Sequence, residues 1–220
     1  MTDRGHFLTF EGTDGSGKST QMRLLAARLR AAGHEVLETA EPGGTPIGAQ
    51  IRRILLDAAN QELSPTTELL LYFACRAQNV DQWIAPALER GAVVLSDRFT
   101  DSTLVYQGAG RGLGAEVVMA LDRIACRGLA PDLTIYLDID LETSLARAHR
   151  RNRTQADPAA AVETRMDDQS VEFHRKAREA YLELAAREPR RVRVIDGRGD
   201  TDAIAEAIWA VVQLEVGERV

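Results

Sequence analysis

"FEGTDGSGKST", Phe10 to Thr20, decides how the rest of the chain is read. It ends the β-rich run "HFLTFE" (His6 to Glu11) and opens a stretch where Met22, Leu24, Leu25 and Leu29 make an amphipathic helix that stops at Gly33. Gly12, Gly17, Lys18 and Ser19 satisfy GxxxxGK[ST] in the required setting, directly after a strand and at the start of a helix. Backbone N–H groups of such a turn, with the helix N-terminus behind them, surround a phosphate. Gly12, Thr13, Asp14, Gly15, Ser16, Gly17, Lys18, Ser19 and Thr20 are therefore the expected ATP site, Lys18 reaching the β and γ oxygens and Ser19 placing Mg²⁺. The same loop carries two carboxylates, Glu11 and Asp14, beside the most anionic part of a nucleotide, and that needs a reason.

Outward from this unit, short β-rich runs alternate with helical patterns. "EVLETA" (Glu35 to Ala40), "AVVLS" (Ala92 to Ser96), "LTIYLD" (Leu133 to Asp138) and "RVRVID" (Arg191 to Asp196) read as further strands. Ser64 and Pro65 open a long apolar helix running through Leu88, closed by Glu89, Arg90 and Gly91. The alternation predicts an α/β P-loop NTPase fold: a doubly wound, parallel, five-stranded sheet flanked by helices, with ligands at the carboxyl ends of the strands.

With 220 residues, 45% of them hydrophobic, the chain can bury a substantial core, and residues 1–220 are expected to form a single domain. A net charge of -6 argues against a nucleic-acid partner, which would need a broad excess of Lys and Arg. Cys75 and Cys126 stand far apart and His6, His34, His149 and His174 show no ligand spacing, so neither a zinc site nor a disulfide framework is expected. Without an export signal or an apolar run of about eighteen residues, the expectation is a cytoplasmic protein with no membrane partner. Lys18 and Lys176 are the only lysines; every other strong cation is arginine, which makes the lysine of the glycine-rich loop more informative.

"VVLSDR" is an apolar strand ending in Asp97 and Arg98. A carboxylate at this strand tip commonly holds Mg²⁺, so Asp97 is the candidate second metal contact and Arg98 a candidate phosphate contact. From Arg147 to Asp168 apolar periodicity fades, "RAHRRNR" giving way to the small and polar "TQADPAAAVET". The segment reads either as a solvated helix end and loop or as a mobile lid over substrate. Neither lysine follows an asparagine, so the NKxD guanine motif is missing and a GTPase is disfavoured. A kinase that phosphorylates a phosphate must bring two polyanions together, and arginines from several elements have to offset their repulsion. Arg76 in "YFACRAQ", Arg98, and Arg147, Arg150, Arg151 and Arg153 are the candidates.

In order and approximate spacing, "FEGTDGSGKST", "EPGGTP" (Glu41 to Pro46), "YFACRAQ", "SDRFTDSTLVYQGAGRG" (Ser96 to Gly112) and "PDLTIYLD" (Pro131 to Asp138) resemble the thymidylate kinases, from about Phe7 to the last strand. The resemblance implies Mg-ATP and dTMP as substrates, dTDP and ADP as products, and a homodimer. Position by position it implies that Arg76 and Arg98 grip the acceptor phosphate and that Asp97 stands near Mg²⁺. Tyr72 matches a ring stacked on thymine, a role neighbouring Phe73 could take instead. Ser102 and Thr103 match positions near the base edge, Tyr106 an aromatic that crowds the 2′ position, and Gln107 lies beside it. Asp14 matches a carboxylate that takes the 3′-hydroxyl of the acceptor sugar, whereas Glu11 is assigned no chemistry. Since this P-loop has no arginine, the resemblance implies that Arg150, Arg151 or Arg153 from a lid at about 147–168 neutralises the transferred phosphoryl group, and Arg147 matches an arginine stacked on adenine.

Two departures touch the acceptor side: Ala40 stands where the family often has arginine before "EPGG", and Thr164 to Asp167 read "TRMD" instead of "DR.E". "GAGRGLG", Gly108 to Gly114, fails as a dinucleotide fingerprint because its spacing is wrong and no strand precedes it. The rival readings are another nucleoside monophosphate kinase and a non-catalytic P-loop module that regulates a partner.

Overall fold

The computed structural model describes residues 4–144, 146–147, 165–166 and 169–216. Five parallel strands, β1 (Phe7–Glu11), β2 (Val36–Ala40), β3 (Val93–Asp97), β4 (Leu133–Asp138) and β5 (Val192–Asp196), form one sheet in the order β2-β3-β1-β4-β5. Leu8 stands in register with Leu95 on one side and Leu133 on the other, and both are fully buried. Such central strands read as continuous apolar runs because helices cover both faces.

Helix α1 (Lys18–Ala31) packs Met22, Leu25, Ala26 and Leu29 onto Leu8, Phe10, Leu95 and Ile135, together with Ile204, Ile208 and Val212 of the last helix, α8 (Thr201–Val216). Each large side chain buried here contributes about 1.5–3 kcal/mol. Gly33 ends α1 with φ 96, the left-handed conformation a helix C-terminus favours. The opposite face is covered by α3 (Pro65–Asn79), α4 (Ala85–Glu89) and α6 (Ala115–Cys126), while α2 (Pro46–Leu56) packs on α3 and α5 (Thr100–Thr103) follows β3. The hydroxyls of Thr45 and Ser64 cap α2 and α3, each followed by proline in the first turn.

The helical stretch expected through Leu88 runs from Pro65 to Glu89, with π-helical geometry at Val80–Ile84. Pro86 supplies no N–H to the preceding turn, and the wider turn absorbs the missing bond. A second π-helical stretch, Leu104–Gly110, follows α5 and carries Tyr106 and Gln107. Helix α7 (Val171–Arg187) docks Phe173, Ala177, Tyr181 and Leu184 over Val105 and Tyr136. Among the described residues no helix is long and apolar enough to cross a membrane.

From β1 the chain builds toward β2 at one edge, and after β3 it crosses to build β4 and β5 on the other side. The carboxyl ends of β1 and β3 therefore flank the switch point where α/β sheets bind ligands. Glu11, Asp97 and the glycine-rich loop stand there.

Candidate active site

Gly12, Gly15 and Gly17 adopt φ of 141, 83 and 100, so the loop turns its backbone inward in conformations L side chains rarely take. A Cβ on Gly12 would come within 2.7 Å of the Leu137 carbonyl oxygen. Lys18 reaches back along the loop, its Nζ donating to the carbonyls of Gly12 (2.9 Å) and Thr13 (3.0 Å). Burial lowers its pKa and Arg98 adds to the effect, while Asp97, Asp14 and Glu11 oppose it. Ser19 Oγ donates to Asp97 Oδ2 at 2.6 Å. Among the described residues no group of three or more His, Cys, Asp or Glu could hold a metal. The hydroxyl and carboxylate pair is nonetheless a hard-oxygen donor set of the kind Mg²⁺ takes when phosphates supply further ligands.

Beside this loop lies a cavity lined by Asp14, Glu41, Pro42, Arg52, Leu56, Tyr72, Arg76, Arg98, Phe99, Ser102, Thr103, Tyr106, Gln107 and Met166. Arg98 adopts φ 74, unusual for a side chain of its size. The turn is held by its own N–H on the Phe10 carbonyl (2.9 Å), by Ser96 Oγ donating to its carbonyl (2.7 Å), and by the next N–H, of Phe99, on Glu11 Oε1 (2.8 Å). It aims the guanidinium back into the cavity, where Nη2 pairs with Asp14 Oδ1 at 3.1 Å and the ring of Tyr106 lies 5.1 Å from its centre. Burial works against the charge of Arg98, but Tyr106, Asp14, Tyr181 and Glu11 outweigh it and hold the guanidinium ionised.

Arg76 differs. It is 1% exposed and lies over the rings of Phe73 and Phe99 at 4.9 and 5.0 Å. Its Nε donates to Glu41 Oε2 at 2.5 Å and its Nη2 to Thr103 Oγ1 at 3.0 Å, leaving Nη1 buried with no partner. Its charge is offset within the protein, and what it retains beside the cavity is the two N–H groups of Nη1.

The sequence-expected acceptor residues mostly converge here: Asp14, Tyr72, Arg76, Arg98, Ser102, Thr103, Tyr106 and Gln107 all line the cavity. Phe73 does not. It belongs to the core with Phe7, Leu69 and Val94 and serves as the floor beneath Arg76, so Tyr72 is the ring presented to the cavity. The Ser102 hydroxyl is committed inward, donating to Glu11 Oε2 at 2.5 Å. Gln107 is buried with its Nε2 on Glu68 Oε1 (2.8 Å). Arg147 is exposed, and Arg150, Arg151 and Arg153 lie outside the described residues.

Three features escaped sequence reasoning. Glu11, read as a strand end, is fully buried and accepts from Phe99 N, Ser102 and Tyr181; burial, reinforced by Asp101, raises its pKa to about 7. Arg52 adds a cation to the cavity wall, donating to the Pro42 carbonyl at 2.8 Å, on a helix where nothing distinguished it from Arg53. Arg165 and Met166, within the segment read as a lid, are docked: Arg165 is buried on Glu68 and the Leu55 carbonyl, and Met166 lines the cavity. The arginine retained in "TRMD" was the available signal for this contact.

Residues 10–208 match the family model described as thymidylate kinase. A thymidylate kinase of Pelobacter propionicus is 52% identical over 208 residues, covering 94% of each chain. One from Geobacter sulfurreducens is 51% identical over 98% of this chain and 100% of its own. Among solved structures, a thymidylate kinase from Ehrlichia chaffeensis superposes with a TM-score of 0.76 at 30% identity, covering 96% of this chain and all of that one. With residues 10–208 matched by the family model and relatives 51–52% identical over nearly the whole length, the chain belongs to the thymidylate kinase family.

Proposed function

We propose that this chain transfers the γ-phosphoryl group of Mg-ATP to dTMP, giving ADP and dTDP. The observation that carries the reading is the position of Arg98, at the tip of β3 directly after Asp97, turned back by its positive φ into a cavity that borders the phosphate loop. The glycine-rich loop and Lys18 hold the donor phosphates, and Arg98 meets the acceptor phosphate. Ser19 and Asp97 would hold Mg²⁺, which would supply positive charge to offset that of the ATP phosphates.

Inside the cavity, Tyr72 offers a ring face to the base and Arg76 the N–H groups of Nη1 to the acceptor nucleotide. Tyr106, its phenol pushed up to about 12 by burial, stays protonated and closes the sugar side. Asp14, already paired with Arg98, can still accept from a sugar hydroxyl, so the loop's carboxylate does not confront the donor phosphates alone. The acceptor phosphate is itself the nucleophile, so no covalent intermediate on the protein is needed. The rate comes from alignment and charge stabilisation. Arg150, Arg151 and Arg153 are the candidates for neutralising the transferred group, and Arg147 for the adenine.

The working form is proposed to be a homodimer in the cytoplasm, supported by exposed apolar residues on neighbouring helices, Ile54, Leu70 and Ile124, and tested by sedimentation. The reaction is tested by incubating the protein with Mg-ATP and dTMP and separating nucleotides by anion exchange. Formation of dTDP in step with ADP supports the reading, and ADP without dTDP refutes it.

A further inference from the structure

Behind Arg98 lies a ring of three oxygens that the transfer chemistry does not use. Glu11 Oε2 stands 2.5 Å from Ser102 Oγ and 2.7 Å from the Tyr181 phenol oxygen, and those two hydroxyls are 2.9 Å apart. Arg98 Nη1 donates to Ser102 Oγ at 3.0 Å and to Tyr181 at 3.4 Å. Above about pH 7, where Glu11 is ionised, its carboxylate can only accept, so both hydroxyl protons point at Glu11 and both hydroxyls turn their lone pairs toward Arg98. The second oxygen of Glu11 is occupied by the Phe99 N–H, which fixes the carboxylate itself.

We propose that Tyr181 is a positioning residue for the acceptor phosphate: with Ser102 it forms an ordered chain from Glu11 to Arg98 that fixes one face of the guanidinium while Asp14 fixes another. The proposal rests on the reading that Arg98 meets that phosphate. Three observations single out the phenol. Tyr181 comes from α7, remote in sequence from both the loop and β3, and is only 1% exposed. Its ring is stacked on Tyr136 (4.7 Å, 19°) and meets Tyr106 edge-on at 6.2 Å, so the hydroxyl has little freedom to leave the chain. One turn away Arg178 grips both oxygens of Asp138 at 2.7 and 2.8 Å, anchoring the helix independently of the phenol. A guanidinium held by fixed acceptors spends less freedom on capturing a phosphate than one free to turn.

The test is steady-state kinetics of the full chain with Tyr181→Phe, Arg98→Ala and the double variant, varying dTMP and Mg-ATP separately, with melting temperatures measured alongside. Tyr181→Phe keeps the stacked ring and removes one oxygen. It is expected to raise the KM for dTMP about tenfold while leaving that for ATP within about twofold. In the Arg98→Ala background the same change is expected to have no further effect on dTMP. An unchanged dTMP KM in Tyr181→Phe, or an equal effect with and without Arg98, overturns the proposal. If Arg98→Ala itself leaves the dTMP KM unchanged, the acceptor role of Arg98 fails and the proposal fails with it. Should Tyr181→Phe not fold, Ser102→Ala removes the other hydroxyl of the chain and is read by the same criteria.

Discussion

Asp14 Oδ1 and Arg98 Nη2 meet at 3.1 Å, joining the phosphate loop to the tip of β3 across the mouth of the cavity. The contact resolves the odd presence of a carboxylate in a phosphate-binding loop. Asp14 faces the Arg98 guanidinium, and on the proposed function the loop serves two substrates. On this account Arg98→Ala raises the KM for dTMP by about 10–100-fold, the worth of one or two hydrogen bonds to a charged group, with a far smaller effect on ATP. Equal losses for both substrates would count against the assignment.

Arg76 and Glu41 form a pair that is nearly inaccessible, with side chains 1% and 2% exposed. Breaking such a pair strands a charge in the core and costs about 3–5 kcal/mol. Glu41→Gln should accordingly lower the denaturation midpoint sharply, and urea titration of the variant beside the parent chain measures it. A change below about 1 kcal/mol would mean that solvent relieves the stranded guanidinium.

Glu11 makes stability depend on pH in an unusual direction. Its folded pKa of about 7 lies above the ordinary 4.5, because burial, with Asp101 adding to it, disfavours the anion. Between those values the folded chain binds more protons than the unfolded one, so this group's contribution falls as pH rises from about 4.5 to about 7. The loss is on the order of 3 kcal/mol. Glu11→Gln removes the titration. Relative to the parent, its stability should therefore improve between pH 5 and pH 8, and denaturant titrations at the two pH values check the sign.

Ser19 and Asp97, 2.6 Å apart, are assigned to Mg²⁺. Asp97→Asn is expected to raise the Mg²⁺ concentration needed for half-maximal rate by about 10–100-fold without changing the KM for dTMP to the same degree. A variant with the parent's Mg²⁺ dependence would place the metal elsewhere.

Much of this was legible in the sequence because it depends on local pattern. The five strands and the glycine-rich loop follow from apolar runs and GxxxxGK[ST], and Asp97 and Arg98 from their place at a strand end. The helical stretch through Leu88 was legible too, but its π geometry at Val80–Ile84, just before Pro86, is a change that periodicity does not register. Phe73 and Tyr72 are adjacent and equally aromatic; only the packing of α3 against Phe7 and Val94 sends one to the core and the other to the cavity. Glu11 and Tyr181 were invisible for a different reason. Their bond spans 170 positions, and each alone resembles an ordinary strand end or an amphipathic helix residue.

The central claim, that the cavity beside the phosphate loop takes dTMP as phosphoryl acceptor, is tested most directly by coupled ADP release with Mg-ATP and each of dTMP, dUMP, dCMP and dGMP in turn. The account predicts acceptor-dependent release that is highest in kcat/KM for dTMP. Preference for a base other than thymine, or release that no acceptor stimulates, would contradict it.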